Sequence, residues 1–176
     1  DRLGLSDELA GNEAYAVFCW HAPMMIPHGE LRALWDAMSH LVPEDVRELL
    51  HVYLAGKERE RLGVIGMLKA GVPVRFMVES GVDPRLELAE GQLWGWRDVV
   101  VLWRAGVSYE ALDRLVGFNI ERKTVVPAEG VAAMTRAGVP LPYMMELLGH
   151  GVEPEAVARA WGADVPAEYG AAAFHG

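Results

Sequence analysis

The sequence has little of what disulfide-bonded, membrane-spanning or nucleic-acid-binding proteins require. Cys19 is the single cysteine among 176 residues, which rules out an internal disulfide and predicts a reducing, cytoplasmic setting. The longest stretch without a charged residue is 14–29, and Pro23 and Pro27 interrupt it. It falls short of the roughly 20 apolar residues of a membrane span, so no transmembrane segment is predicted. The net charge of −9 disfavours binding to phosphate backbones.

Signatures of catalysis and of metal binding are missing as well. The sequence contains no strand followed by a glycine-rich phosphate loop and no Gly-x-Ser-x-Gly nucleophile motif. Cys19, His21, His28, His40 and His51 lack the spacing of zinc-finger ligands, and no two histidines form the i, i+4 pair of a metalloprotease helix. The sequence therefore predicts a non-enzymatic protein with no catalytic residue, no cofactor and no metal site.

One short sequence pattern recurs along the chain. A short apolar run ends in a small residue or a histidine, Gly-Val follows, and a proline, serine or acidic residue comes next, at 70–73, 80–84, 105–108, 137–140 and 150–154. Glycine just past a helix end supplies the left-handed backbone that closes the helix, and the valine packs back on the last turn. Proline, serine or aspartate then favours a new helix start. The pattern therefore predicts short helices joined by tight Gly-Val turns.

These turns predict an all-α fold in which residues 61–176 form an array of short helices. Residues 1–60 form an N-terminal helical portion, packed with the array as one unit. Helices of two to three turns are unstable alone in water and must stack on neighbours. The chain in this respect resembles α-helical solenoid repeat proteins, and a compact layered helical domain is the open alternative. The predicted helix-ending glycines are Gly71, Gly81, Gly91, Gly106, Gly117, Gly138, Gly151 and Gly162, and Pro127–Gly130 predicts a further helix start.

Three helices are predicted within residues 1–60. Ser6 caps the first, whose wholly apolar continuation over 14–20 predicts burial in the core. Pro43 begins the third, and the mixed charges of 57–61 open the helix after it. The second helix carries apolar residues at i, i+3, i+4 and i+7, namely Leu31, Leu34, Trp35 and Met38.

Aromatic residues crowd into the middle of the chain at Trp94, Trp96, Trp103 and Tyr109. Tryptophan is enriched at binding hot spots, so the cluster is a candidate docking patch, although burial in the core is the favoured interpretation. Trp96 and Trp103 share a helix face and are predicted in the core, whereas Trp94 lies off that face and is the better surface candidate. The predicted partner-binding residues are Trp94, Trp103, Arg104, Tyr109 and Arg114.

Residues 97–117 offer a second interpretation. The helix, Ala-Gly-Val-Ser turn and following helix resemble the helix-turn-helix of lactose-repressor-type regulators. The resemblance implies that Ser108, Tyr109, Glu110, Asp113 and Arg114 would face DNA, with Arg114 alone able to make a bidentate contact to guanine. Residues 61–120 are also the one stretch without net charge, because seven basic residues balance seven acidic ones.

The sequence thus leaves three functions to compare, the third being a small helical enzyme or cofactor carrier. The favoured one is a non-enzymatic helical scaffold that binds another macromolecule, most simply a protein. The alternative is a helix-turn-helix DNA-binding regulator that uses residues 97–117.

Overall fold

The computed structural model describes residues 2–22, 25–52, 58–80 and 94–164, and these residues form ten α-helices and no strand. The predicted all-α class is confirmed. Within these ranges no helix is long and apolar enough to cross a membrane. The helices are α1 (Glu13–His21), α2 (His28–Met38), α3 (Pro43–Val52), α4 (Glu58–Lys69), α5 (Val74–Glu79), α6 (Trp96–Arg104), α7 (Tyr109–Arg122), α8 (Ala128–Arg136), α9 (Leu141–Gly149) and α10 (Pro154–Asp164).

The chain divides into two compact units, Asp1–Ala89 and Glu90–Gly176. In the first unit α1 packs on α3 and α2 packs on α4. Helix α4 belongs to the first unit through its contact with α2. The tightest core positions of this unit include Phe18, Leu34, Met38, Val46, Leu49, Val64, Met67, Phe76 and Met77.

An aromatic cluster fixes α1 against α2. The indole of Trp35 meets the ring of Tyr15 edge-on at 4.9 Å between centroids and lies 5.3 Å from the ring of Phe18. The apolar run of α1 is nevertheless not buried throughout. Trp20 is 85% exposed, and Ala16 and Cys19 are exposed too, so the prediction that all of 14–20 is buried is wrong. A nine-residue helix that packs by one side leaves its other side uncovered, whatever residues that side carries.

Helices of the second unit contact the next-but-one helix along the chain, since α8 packs on both α6 and α10. A Cβ atom added at Gly130 of α8 would lie 2.6 Å from the Cβ of Pro154, so only glycine permits α10 to begin this close to α8. Short helices depend on such tertiary packing, because they are unstable alone in water. The core positions of this unit include Val99, Leu102, Leu112, Leu115, Val131 and Met134.

The Gly-Val turns have the predicted geometry wherever the structure describes them. Gly71, Gly106, Gly138 and Gly151 have φ between 70° and 80°. In each turn the glycine N–H donates to the carbonyl three residues back and the valine N–H donates to the carbonyl five residues back, the pair of bonds of a Schellman motif. The valines of the first three turns are buried and that of the fourth is 38% exposed. The fifth predicted turn, at 80–84, reaches outside the described residues.

The prediction that glycine ends a helix is wrong at two positions. Gly117 lies inside α7 and Gly162 inside α10, and neither ends its helix. Both glycines lack the valine of the Gly-Val turn, since Phe118 follows Gly117 and Ala163 follows Gly162. Pro127 precedes α8 as predicted. Gly81 and Gly91 lie outside the described residues.

Candidate protein-binding groove

The segment that resembles a helix-turn-helix consists of α6, the turn at Gly106 and α7. The Ser108 hydroxyl accepts a hydrogen bond from the N–H of Ala111 at 3.2 Å and caps α7. Val107 is buried beneath the turn. The same turn occurs after α4, α8 and α9, so its presence here reflects a general way of ending helices in this chain.

Trp94 is a structural residue of the second unit. Its side chain is 4% exposed, and its indole N–H donates to the carbonyl of Val126 at 2.8 Å. The N–H of Val126 in turn donates to Oδ1 of Asn119 at 3.0 Å, so two buried side chains bind the backbone N–H and C=O groups of one residue. The prediction that Trp94 is the surface candidate among the tryptophans is wrong. It precedes α6, where the helical spacing used to place it does not apply.

The other predicted partner-binding residues do not form one surface patch with Trp94. Trp96 and Trp103, predicted in the core, are half-buried on α6, and the Arg97 guanidinium lies 5.2 Å from the centre of the Trp96 ring. Tyr109 is half-buried at the start of α7, and Arg104 is exposed at the end of α6. Trp103, Arg104 and Tyr109 lie close to the turn between α6 and α7 in the chain, whereas Trp96 begins α6 and Arg114 lies further along α7.

Arg114 instead lines a groove on the outer side of α7. The groove has a volume of about 580 Å³, and Met145 of α9 is among its lining residues. Ile120 is 65% exposed along it, and Phe118 and Met145 of the lining are half-buried. The lining residues are Asp113, Arg114, Val116, Gly117, Phe118, Ile120, Glu121 and Met145.

Gly117 lies at the middle of this lining. Glycine inside a helix destabilises it by up to about 1 kcal/mol relative to alanine. An added Cβ at Gly117 would meet no atom within 4 Å, so internal packing does not require glycine there. At Gly130 the same test gives a clash with Pro154. The space above Gly117 is therefore open toward solvent and available to an approaching molecule.

Acidic and basic side chains lie along the groove beside its apolar lining residues. The Arg114 guanidinium lies 3.2 Å from the carboxylate of Glu110, with both side chains at least half exposed. Asp113 and Glu121 add two acidic groups to the lining. The Arg122 guanidinium lies over the ring of Phe118 at 5.4 Å. With Glu110 and Arg122 counted beside the lining residues, the groove carries three carboxylates and two guanidinium groups, so it has one excess negative charge.

Sequence reasoning missed Phe118, Ile120 and Met145. A signal was present in the run Val116-Gly117-Phe118-Asn119-Ile120, which is too apolar for a helix with one solvated side. Met145 carried no such signal, because its place in the groove depends on how α9 lies beside α7.

A second depression lies beside α1 in the first unit. Its volume is about 300 Å³, and Leu9, Tyr15 and Cys19 are among its lining residues. Burial, followed by a hydrogen bond with the Cys19 side chain, raises the pKa of Tyr15 to about 12. The phenol is therefore protonated at neutral pH. In the described part of the chain no group of three or more histidine, cysteine or acidic residues is arranged to hold a metal ion.

Comparisons with known proteins return no match: no family model, no curated protein and no solved structure is similar to this chain. The geometry described above is therefore the basis for a functional conclusion.

Proposed function

We propose that this protein is a non-enzymatic helical scaffold that binds another protein through the groove of α7. One observation carries the proposal. The groove is lined by apolar side chains such as Phe118 and Ile120, and Gly117 at its middle leaves open space above the helix. The predicted occupant is an amphipathic helix of the partner, laid with its apolar side into the groove. The single cysteine of the chain fits an interaction in a reducing, cytoplasmic setting.

The length of the groove supports a helical occupant. Its lining spans residues 113–121 of α7, which corresponds to about 12 Å at 1.5 Å per residue. Positions i and i+7 of a bound helix are about 10 Å apart on the same scale, so one groove accommodates the usual apolar anchors of a helix. Gly117 lets the backbones of the two helices approach closely at the midpoint.

The charge of the lining supports a basic occupant. Asp113 and Glu121 are acidic, the charge of Arg114 is offset by Glu110, and Arg122 over Phe118 leaves one carboxylate in excess. Lysine or arginine residues that flank the apolar side of the partner helix would face these carboxylates. Such pairs at an exposed rim mainly raise the association rate and select the orientation of binding.

The same charges argue against the DNA-binding alternative. In a helix-turn-helix protein the exposed side of α7 would face phosphates, and Glu110 and Asp113 repel them. Arg114 would have to leave Glu110 before contacting a base. Duplex DNA binding is therefore an outcome that would contradict the proposal.

The proposal is tested by site-specific photo-cross-linking of the full chain in its source cells. A photoreactive amino acid at Ile120 is expected to capture a partner segment with helical apolar periodicity and flanking basic residues. Glu129, exposed on α8 and absent from the groove lining, is the control site and should not capture that segment. A synthetic peptide of the captured segment should bind the wild-type protein at least tenfold more tightly than Gly117→Leu, which fills the groove.

Three results would contradict the proposal. The first is identical adducts from the Ile120 and Glu129 sites, and the second is an Ile120 adduct with the protein's own chain. The third is salt-sensitive binding of duplex DNA by the purified protein that Arg114→Gln abolishes and Gly117→Leu does not.

A further inference from the structure

Two histidines lie together at the ends of neighbouring helices in the first unit. His21 is the last residue of α1 and His51 lies in the last turn of α3, and α1 packs on α3. Their ring centres are 5.0 Å apart and the ring planes meet at 57°. The sequence analysis considered both histidines as metal ligands and predicted no metal site, because thirty residues separate them and no local spacing records that they meet.

The spacing of the rings suits a shared metal ion. A nitrogen-to-metal distance of about 2.1 Å places the ion about 3.2 Å from each ring centre. Two rings with centres 5.0 Å apart then subtend an angle of about 100° at the ion, which is near the tetrahedral value. With a nitrogen of each ring turned toward the ion, two imidazoles at this distance supply two of its four ligands.

The surroundings of the pair favour a cation. Both histidines lie in the last turn of their helices, where unpaired carbonyl groups concentrate the negative end of the helix dipole. His51 is exposed and His21 is half-buried, so water or a small ligand can reach the remaining coordination positions. The site is thus open on one side and fixed by two packed helices on the other.

We propose that His21 and His51 form a two-histidine site for a late first-row divalent cation of the Ni²⁺, Cu²⁺ or Zn²⁺ class. Imidazole nitrogen is a preferred ligand of these ions, and oxygen-seeking Mg²⁺ and Ca²⁺ are excluded by the same preference. The bound ion links the carboxyl ends of α1 and α3 and stabilises the first unit. This site lies in a different unit from the α7 groove, so it stands whether or not the groove binds a protein.

Calorimetric titration of the full chain with Ni²⁺ tests the site. The wild-type protein is expected to bind one Ni²⁺ ion, and His21→Gln and His51→Gln should each lower the affinity at least tenfold. The double variant should bind no more weakly than either single variant, because one imidazole alone no longer chelates. His40→Gln and His150→Gln, at exposed positions elsewhere, are the matched controls and should leave the affinity unchanged.

Thermal unfolding supplies a second readout. Ni²⁺ should raise the melting temperature of the wild-type protein and of both controls, and should leave that of His51→Gln unchanged. His51 is exposed, so this variant keeps its fold even where His21→Gln does not. Equal, roughly twofold losses for all four single variants would overturn the proposal, since they indicate independent single-histidine contacts. Ni²⁺-dependent dimerisation in sedimentation experiments would overturn it too.

Discussion

Lys123 adopts a backbone conformation at the end of α7 that the chain elsewhere gives to glycine. Its φ of 50° and ψ of 40° lie in the left-handed region, and its N–H donates to the carbonyl of Ile120. The N–H of Thr124 donates to the carbonyl of Asn119, which completes the same bond pattern as the Gly-Val turns. A residue with a Cβ atom is strained in this region by about 1 kcal/mol or more.

Lys123→Gly is therefore expected to stabilise the protein by about 0.5–1 kcal/mol. Glycine removes the strain at this position and keeps both hydrogen bonds of the turn. Chemical denaturation monitored by circular dichroism measures the change. Lys123→Ala is the control, because it removes the charged side chain and keeps the strain, and it should leave the stability close to that of the wild-type protein. A loss of stability in the glycine variant would contradict the assigned backbone conformation.

Two glycines in neighbouring elements of the second unit have opposite structural roles. Gly138 ends α8 with φ 78°, whereas Gly117 lies within the regular helix α7. An added Cβ meets no atom within 4 Å at either position. The difference between the two positions is therefore one of backbone conformation alone.

Alanine at these positions should change the free energy of unfolding in opposite directions. Gly138→Ala should destabilise the protein by about 1 kcal/mol, because alanine is strained at positive φ. Gly117→Ala should stabilise it by up to about 1 kcal/mol through helix propensity. Denaturation midpoints of the two variants, measured side by side, check the pair. Destabilisation by Gly117→Ala would mean that the space above Gly117 is occupied within the protein itself.

The elements that sequence reasoning identified are those that depend on neighbouring residues. The Gly-Val turns were predictable because glycine, valine and the following cap act within six residues of chain. The groove was not, because Met145 reaches it from α9 and no local pattern records that contact. Trp94 was misplaced for the same reason, since the carbonyl that receives its indole N–H belongs to Val126, 32 residues away.

At the scale of the whole molecule, the two units are built in similar ways. Each unit packs helices that alternate along the chain, α1 on α3 and α2 on α4 in the first, and α8 on α6 and α10 in the second. In such stacks each helix depends mainly on its contact partners, so a local defect weakens those partners before it reaches more distant helices. This packing fits the solenoid and the layered interpretation of the fold equally.

Gly130→Ala is expected to lower the stability of the second unit selectively. The added Cβ would lie 2.6 Å from the buried Pro154, so α10 must shift away from α8, and overpacking of this kind destabilises by about 1–3 kcal/mol. Hydrogen exchange measured by mass spectrometry should show faster exchange in α8 and α10, while the amides of α1–α4 keep the protection they have in the wild-type protein. Uniform loss of protection along the chain would show instead that the two units unfold as one, because a defect confined to one core would then have reached the other.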